Sequence, residues 1–188
     1  PVVACNTPDD RKAGSVGKPI PSEYVNVKIE NGEILVKGKI VSRGYYQNPE
    51  ADAEAFSDGW FRTGDLGRID EDGFLFITGR KKNLIILPNG ENVSPEILEE
   101  QLLRHPEIKE VLVKEKTLKS GARVIAADVF PNTEQAALAG LDDAQVQSVI
   151  RNIIKETNDV NPVFMKIEDI TVLKTELPKN ALGKVLRR

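Results

Sequence analysis

The side chains best suited to chemistry lie on four glycine-containing turns between Gly59 and Glu96. Asp65 ends a Thr-Gly-Asp sequence, and its carboxylate could accept two adjacent hydrogen bonds from a vicinal diol such as a ribose. Arg80 begins a run of three cations, and its planar guanidinium suits a ribose or a phosphate. Taken singly, each residue has a simpler explanation, because an Asp often bonds its own turn and neighbouring cations often form only a solvated cluster.

Lys82, Gly90 and Lys184 are three further candidates. Lys82 lies where the sequence pattern changes from one predicted domain to the next, a position at which backbone rotation between the domains would occur. The alternative is that Lys82 is an ordinary solvated cation. Gly90 would let a ligand pass close to the backbone, unless it belongs to an ordinary turn. Lys184 lies on a basic tail and could reach into the active site of another body. Its Gly-Lys pair is not a phosphate-binding P-loop, because Pro178 replaces the required Gly and Val185 the required Ser or Thr.

The elements that position Asp65 and Arg80 are predicted to be antiparallel strands. Residues 24–30 alternate apolar and polar side chains, which indicates a half-buried strand. Asn31-Gly32 is a strong hairpin signal, and the apolar segment after it supplies the partner strand. Residues 66–69 and 74–78 flank a second glycine-containing turn. Several short strands with regular turns predict a small barrel-like sheet.

The pattern changes after Arg80, where helices alternate with strands. Ser94 is predicted to cap a helix that has proline at its first position. Residues 142–158 have the clearest helical periodicity, and a capping box precedes it. Further strands are predicted at residues 111–114, 123–130 and 167–173. We therefore predict an α+β protein, with an N-terminal antiparallel, barrel-like portion followed by a small α+β domain.

Composition excludes several kinds of protein and site. The 188 residues carry a formal charge of −3 at pH 7, without the basic balance typical of a nucleic-acid binder, so we predict no nucleic-acid partner. One Cys and one His exclude an intrachain disulfide and a zinc cluster, and no metal site is predicted. No apolar run approaches the ~18 residues of a spanning helix, and we predict a cytoplasmic protein. Because no Met precedes Pro1, we expect a piece of something longer.

Five motifs, taken together and in order, closely resemble the acyl-adenylate-forming superfamily. That superfamily includes acyl-CoA synthetases, adenylation domains of peptide synthetases and beetle luciferases. The motifs lie at residues 61–67, 72–74, 79–83, 89–99 and 178–184. The resemblance runs from about Gly14 to the end of the chain. It implies two domains: residues 1–79 as the end of a large N-terminal adenylation domain, and residues 80–188 as a mobile C-terminal domain.

The resemblance also implies an activity and a role for each candidate. ATP and a carboxylic acid would give an acyl adenylate and pyrophosphate, and the thiol of CoA would then take the acyl group. Asp65 matches the Asp that binds the ribose hydroxyls of ATP, and Arg80 the Arg that joins it. Lys82 matches the hinge, and Gly90 a loop that lines the tunnel for the thiol. Lys184 matches the lysine that stabilises developing charge during adenylation.

The sub-branch that the chain most resembles is the long-chain fatty acyl-CoA synthetases, because of residues 80–83 followed by 87–92. The Lys-Ile-Arg-Gly type of loop common in peptide-synthetase domains is absent, which favours free CoA as acceptor. The family's phosphate loop and its Tyr-Gly-x-Thr-Glu segment are also absent. ATP and Mg²⁺ would therefore be bound mainly by a preceding part, and we expect the 188-residue chain alone to be inactive.

Two alternatives remain beside a fatty acid–CoA ligase. One is an adenylation domain that loads a carrier protein, and the other is a non-catalytic interaction module on the same fold. The joint presence of Asp65, Arg80 and Lys184 disfavours the module, since scaffolding does not need that set. The family's acyl pocket lies upstream, so these residues predict neither acyl chain length nor oligomeric state. They leave open peripheral membrane association of the full-length enzyme.

Overall fold

The computed structural model describes residues 2–20 and 24–187. The chain forms two compact units that divide between Asn83 and Leu84. The domain boundary predicted after Gly79 lies four residues earlier, within the last strand of the first unit. Among the described residues, none of the helices is both long enough and apolar enough to cross a membrane.

The first unit is built on antiparallel strands and one short helix. Its elements are β1 (Ala4–Cys5), β2 (Lys18–Pro19), β3 (Asn26–Glu30), β4 (Glu33–Lys37), α1 (Pro49–Ala55), β5 (Phe56–Ser57), β6 (Trp60–Ile69) and β7 (Leu75–Arg80). β1 pairs with β2, and the other five strands form one sheet. The long strand β6 pairs with β4 along one edge and with β5 and then β7 along the other. The predicted antiparallel character of this part is confirmed.

The hairpin predicted at Asn31-Gly32 is confirmed. Glu30 and Glu33 are register partners, so β3 and β4 are joined by a two-residue turn. Asn31 and Gly32 have φ of 51° and 79°, and two successive positive φ values are what a type I′ turn requires. The apolar core beneath these strands consists of Val25, Ile34, Val36 and Leu75.

The second unit combines a three-stranded sheet, a small hairpin and three helices. Its elements are β8 (Ile85–Ile86), β9 (Asn92–Val93), α2 (Pro95–Leu102), β10 (Ile108–Thr117), β11 (Arg123–Pro131), α3 (Thr133–Leu138), α4 (Asp143–Val160) and β12 (Ile167–Val172). β10 and β11 are antiparallel, and β11 and β12 are parallel. A parallel pair needs a crossover connection, which α3 and α4 supply. With the first unit, this confirms the α+β class.

The core of the second unit lies where α2 and α4 cover the sheet. Leu98 and Leu102 of α2 and Ile150 of α4 are fully buried, and they belong to the same apolar cluster as Val113 of β10. α4 starts as predicted, because Asp142 and Gln145 form a reciprocal capping box. Burial of each large aliphatic side chain contributes about 1.5–3 kcal/mol, which fixes both helices on the sheet.

Asp65, which was expected on a turn, lies within the long strand β6, where it pairs with β7. Two further local expectations differ from the structure. Ser94 occupies the N-cap position of α2 but makes no side-chain cap bond, and its hydroxyl donates to Glu96 Oε2 at 2.8 Å. β10 extends three residues beyond each end of the segment predicted at 111–114. The sequence pattern did not indicate its charged C-terminal end, because main-chain pairing with β11 does not need apolar side chains. In that end, Lys116 forms an ion pair with Asp169 of β12 at 2.6 Å.

Candidate functional site

Asp65 and Arg80 lie directly opposite each other on β6 and β7. Arg80 Nε is 2.8 Å from Asp65 Oδ1, and the side chains are 52% and 24% exposed. Thr63 supports the approach to Asp65, because its hydroxyl donates to the Ile34 carbonyl at 2.7 Å and accepts the Asp65 N–H at 3.0 Å. Gly64 has φ of 71°, where glycine is favoured. The strand pairing thus joins two of the predicted site residues into one ion pair.

Glu33 is a buried carboxylate beside this pair that the sequence did not single out. Its side chain is 5% exposed, and it accepts from Arg62 Nη2 at 3.2 Å, Lys81 Nζ at 3.1 Å and the Gly64 N–H at 3.3 Å. Burial alone would raise the pKa of Glu33, but the hydrogen bonds from Lys81 and Arg62 hold it below its usual value. A Glu directly before three apolar residues of the same strand, Ile34 to Val36, is the signal that could have identified it.

Two cavities flank the Asp65–Arg80 pair in the first unit. A cavity of about 490 Å³ is lined by two carboxylates, Glu33 and Glu54, and by four cationic side chains, which are Arg62, Arg80, Lys81 and Lys82. A second cavity, of about 370 Å³, contains Asp65 among mainly apolar side chains. The first cavity has the charge to attract a phosphate, and the second has a carboxylate beside apolar walls.

Lys82 lies in a single 3₁₀ turn, Lys81–Asn83, at the end of the first unit. Its side chain is exposed and lines the larger cavity, two residues after Arg80. Its position at the division between the compact units is compatible with a hinge. Rotation about a hinge is not a property of one structure, so this role remains a prediction.

Gly90 lies in the loop that joins β8 and β9. The Leu87 N–H donates to the Glu91 carbonyl and the Gly90 N–H to the Leu87 carbonyl, both at 2.9 Å. Gly90 has φ of 85°, and a Cβ built there would meet no described atom within 4 Å. The turn therefore gives the glycine a conformational reason of its own, while the space above it is open. Its predicted contact with a thiol substrate remains a prediction.

Lys184 lies on a hydrogen-bonded hairpin, which we call the tail hairpin (residues 178–186). The Asn180 N–H donates to the Lys184 carbonyl at 2.9 Å, and the Leu186 N–H donates to the Pro178 carbonyl at 2.8 Å. The Asn180 side-chain oxygen accepts the Lys184 N–H at 3.0 Å. Lys184 itself is exposed, with no ion pair to another described residue. The basic tail inferred from the sequence is therefore an ordered turn.

The structure brings together some of the predicted residues and separates others. Asp65, Arg80 and Lys82 share the first unit, whereas Gly90 and Lys184 occupy two different loops of the second unit. Within residues 2–20 and 24–187, no group of three or more His, Cys, Asp or Glu side chains could hold a metal ion.

Residues 82–188 match the family model of the AMP-binding enzyme C-terminal domain. The match covers more than half of the chain, and the chain therefore belongs to the AMP-binding enzyme family. The resemblance to acyl-adenylate-forming enzymes is confirmed.

Three of the proteins that the chain is similar to are CoA ligases for different acids. The chain is 51% identical over 111 residues to the long-chain-fatty-acid–CoA ligase FadD15 of Mycobacterium tuberculosis, which covers 59% of the chain and 18% of the relative. It is 38% identical over 185 residues to the 2-succinylbenzoate–CoA ligase of Geobacillus kaustophilus, and this match covers 94% of the chain and 35% of the relative. The solved structure of an anthranilate CoA ligase, AuaEII in complex with anthranoyl-AMP, superposes with a TM-score of 0.81 at 26% identity. The superposition covers 98% of this chain and 36% of the ligase. The chain thus spans about a third or less of these proteins.

Proposed function

We propose that the chain is the C-terminal part of an AMP-forming acid–thiol ligase, which activates a carboxylic acid as its acyl adenylate and transfers the acyl group to CoA. The observation that carries the proposal is the Asp65–Arg80 ion pair in a chain of the AMP-binding family. The substrates would be ATP, a carboxylic acid and CoA. Mg²⁺ would neutralise phosphate charge, held mainly by residues outside this chain.

Asp65 and Arg80 would hold the nucleotide in the first half-reaction. Arg80 uses Nε to bind Asp65 Oδ1, which leaves its other guanidinium N–H groups for a ribose or phosphate oxygen. Asp65 would accept the two ribose hydroxyls. Neither residue exchanges a proton in this scheme, so their contribution is orientation.

Lys184 would act on the reacting atoms. As the carboxylate attacks the α-phosphorus and pyrophosphate leaves, negative charge grows on the non-bridging phosphate oxygens and on the leaving group, and an ammonium group aimed there lowers the barrier. A lysine without an ion-pair partner among the described residues does not have to break a contact before it does so. After adenylation, rotation at Lys82 would replace Lys184 with the Gly90 loop.

The acid is proposed to be a long-chain fatty acid. The sequence of residues 80–92 and the 51% identity to a long-chain-fatty-acid–CoA ligase support this substrate class. The relatives that act on 2-succinylbenzoate and anthranilate support an aromatic acid as the second candidate. The alternative to free CoA as acyl acceptor is a carrier protein. The alternative to an enzyme is a non-catalytic interaction module on the same fold.

The experiment that tests the proposal is carboxylate-dependent ATP–pyrophosphate exchange by the full-length protein. The panel runs from acetate to long-chain fatty acids and includes 2-succinylbenzoate and anthranilate. We expect exchange with long-chain acids, thioester formation with CoA, and no exchange by the 188-residue chain alone. Exchange with only an aromatic acid would contradict the fatty-acid assignment, and acyl transfer only to a carrier protein would contradict CoA as acceptor. Absence of exchange with every acid would favour the module.

Replacement of Gly90 by Leu is expected to slow transfer from the acyl adenylate to CoA by about 10–100-fold, because a side chain would displace the incoming thiol. Adenylation should stay near the wild-type rate, since the loop is not used in that step. Gly121 is a matched control: it has the same φ of 85°, the same open surroundings and the same 2.9 Å bond from its N–H to a leucine carbonyl three residues earlier. Equal slowing of acyl transfer by Gly90→Leu and Gly121→Leu would show that backbone strain, and not a blocked thiol, is the cause, and it would contradict the prediction.

A further inference from the structure

The first leg of the tail hairpin is anchored to Glu110 of β10. The Leu177 N–H donates to Glu110 Oε2 at 2.8 Å, and Lys179 forms an ion pair with the other oxygen of the same carboxylate. Lys179 also binds Glu176 Oε2 at 2.9 Å. The Glu110 side chain is 8% exposed, and Leu177 is buried. This leg is therefore held by a carboxylate that is sheltered from water, where electrostatic contacts are stronger.

The second leg is anchored through Arg187 to both α2 and β10. Its guanidinium donates to the Val113 carbonyl at 3.0 Å and to Glu99 Oε2, and it lies 3.6 Å from Glu96 Oε1. The other oxygen of Glu99 accepts the Val113 N–H at 2.7 Å. One planar cation thus joins the end of the tail to a helix and a strand, a geometry that the fork of Arg supports and a Lys does not.

We propose that Arg187, through Glu99, and Lys179, through Glu110, are positioning residues that hold the tail hairpin so that Lys184 is presented at a fixed place for adenylation. The inference rests on the proposed function and deepens it. The anchors lie three residues after and five residues before Lys184, so they constrain its backbone from both sides. Displacement of a reacting group by about 1 Å can cost about 10² in rate.

The arrangement differs from an ordinary surface ion pair of the same unit. Arg104 and Glu100 of α2 are 71% and 67% exposed, and such pairs contribute about 0–1 kcal/mol. Arg187 and Glu99 are 29% and 14% exposed, and each also bonds the Val113 backbone. The Arg104–Glu100 pair is therefore a suitable control.

The test separates the two half-reactions of the full-length protein. It is run near pH 8, so that Glu99 is ionised and can bind Arg187. Burial raises the pKa of Glu99 to about 7, although the Val113 N–H and Arg187 both act to lower it. For Arg187→Met we expect the kcat of pyrophosphate exchange to fall about 10–100-fold, with the KM for ATP within about twofold of wild type. Acyl transfer from preformed adenylate to CoA should be unchanged. Arg187→Lys should restore part of the rate, and Arg104→Met should match wild type.

A double substitution shows whether Arg187 acts through Lys184. If it does, Arg187→Met adds no further loss to a protein that already carries Lys184→Ala. An equal loss in both backgrounds, or an equal loss in both half-reactions, would identify a merely structural residue and overturn the proposal. Unchanged exchange by Arg187→Met would overturn it as well.

Amide hydrogen exchange tests the anchoring without any turnover. The N–H groups of Asn180 and Leu186 close the tail hairpin, so Arg187→Met should speed their exchange while core amides such as that of Ile150 keep their rates. Wild-type rates at both hairpin amides would overturn the anchoring. If wild-type protein supports no carboxylate-dependent exchange, the proposed function fails, and this measurement still decides whether Arg187 holds the hairpin.

Discussion

Replacement of Lys184 by Ala in the full-length protein is expected to slow carboxylate-dependent pyrophosphate exchange by about 10²–10³-fold. In other enzymes, removal of one preorganised charge-stabilising group costs about 2.7–4 kcal/mol in the transition state, which corresponds to a loss of this size. Because the interaction strengthens only as charge develops, kcat should fall while the KM for ATP changes little. The measurement is steady-state exchange with saturating acid and varied ATP.

Lys119 provides the matched control for Lys184. It is also exposed, lies in another turn of the second unit and has no proposed role. Lys119→Ala should leave exchange at the wild-type rate, and both variants should unfold at the wild-type temperature, since neither side chain is buried. Exchange at the wild-type rate by Lys184→Ala would remove the lysine from the proposed mechanism.

Replacement of Asp65 by Ala is expected to reduce kcat/KM for ATP by about 10²-fold or more. Two hydrogen bonds from the ribose hydroxyls to a charged acceptor contribute about 1.5–3 kcal/mol each, and each 1.4 kcal/mol is a factor of ten. The fold should tolerate the change, because Arg80 is 52% exposed and the loss of an exposed ion pair costs less than about 1 kcal/mol.

The ribose supplies a direct check on the Asp65 prediction. Wild-type protein should discriminate strongly between ATP and 2′,3′-dideoxy-ATP, and Asp65→Ala should lose most of that discrimination. Glu71→Ala, on the exposed turn between β6 and β7, is the control and should behave as wild type. Discrimination that survives in Asp65→Ala would show that the hydroxyls are bound elsewhere.

Local sequence patterns were sufficient for some elements of each unit. The Asn31-Gly32 hairpin and the capped helix α4 formed where predicted, because turn conformation and helical periodicity depend on residues within a few positions of each other. The order of five short motifs indicated the family, and the comparison of residues 82–188 confirms it.

Contacts between distant residues could not be predicted in this way. Glu33 appeared to be an ordinary strand residue, and only the pairing of β4 with β6 places it against Arg62, 29 positions away. The Ser94 hydroxyl donates to Glu96 and makes no cap bond with the helix backbone, and this side-chain orientation is not decided by sequence alone.

The sequence by itself determined the α+β class, the family and the identity of the candidate residues. The family resemblance implied that Arg80 joins Asp65, but only tertiary structure decided that the two form a direct ion pair, and that Arg187 meets Glu99 across 88 positions. The physical reason is that these ion pairs depend on strand register and on the docking of the tail against α2 and β10. Both are set by burial of the whole unit, which no short segment of sequence encodes.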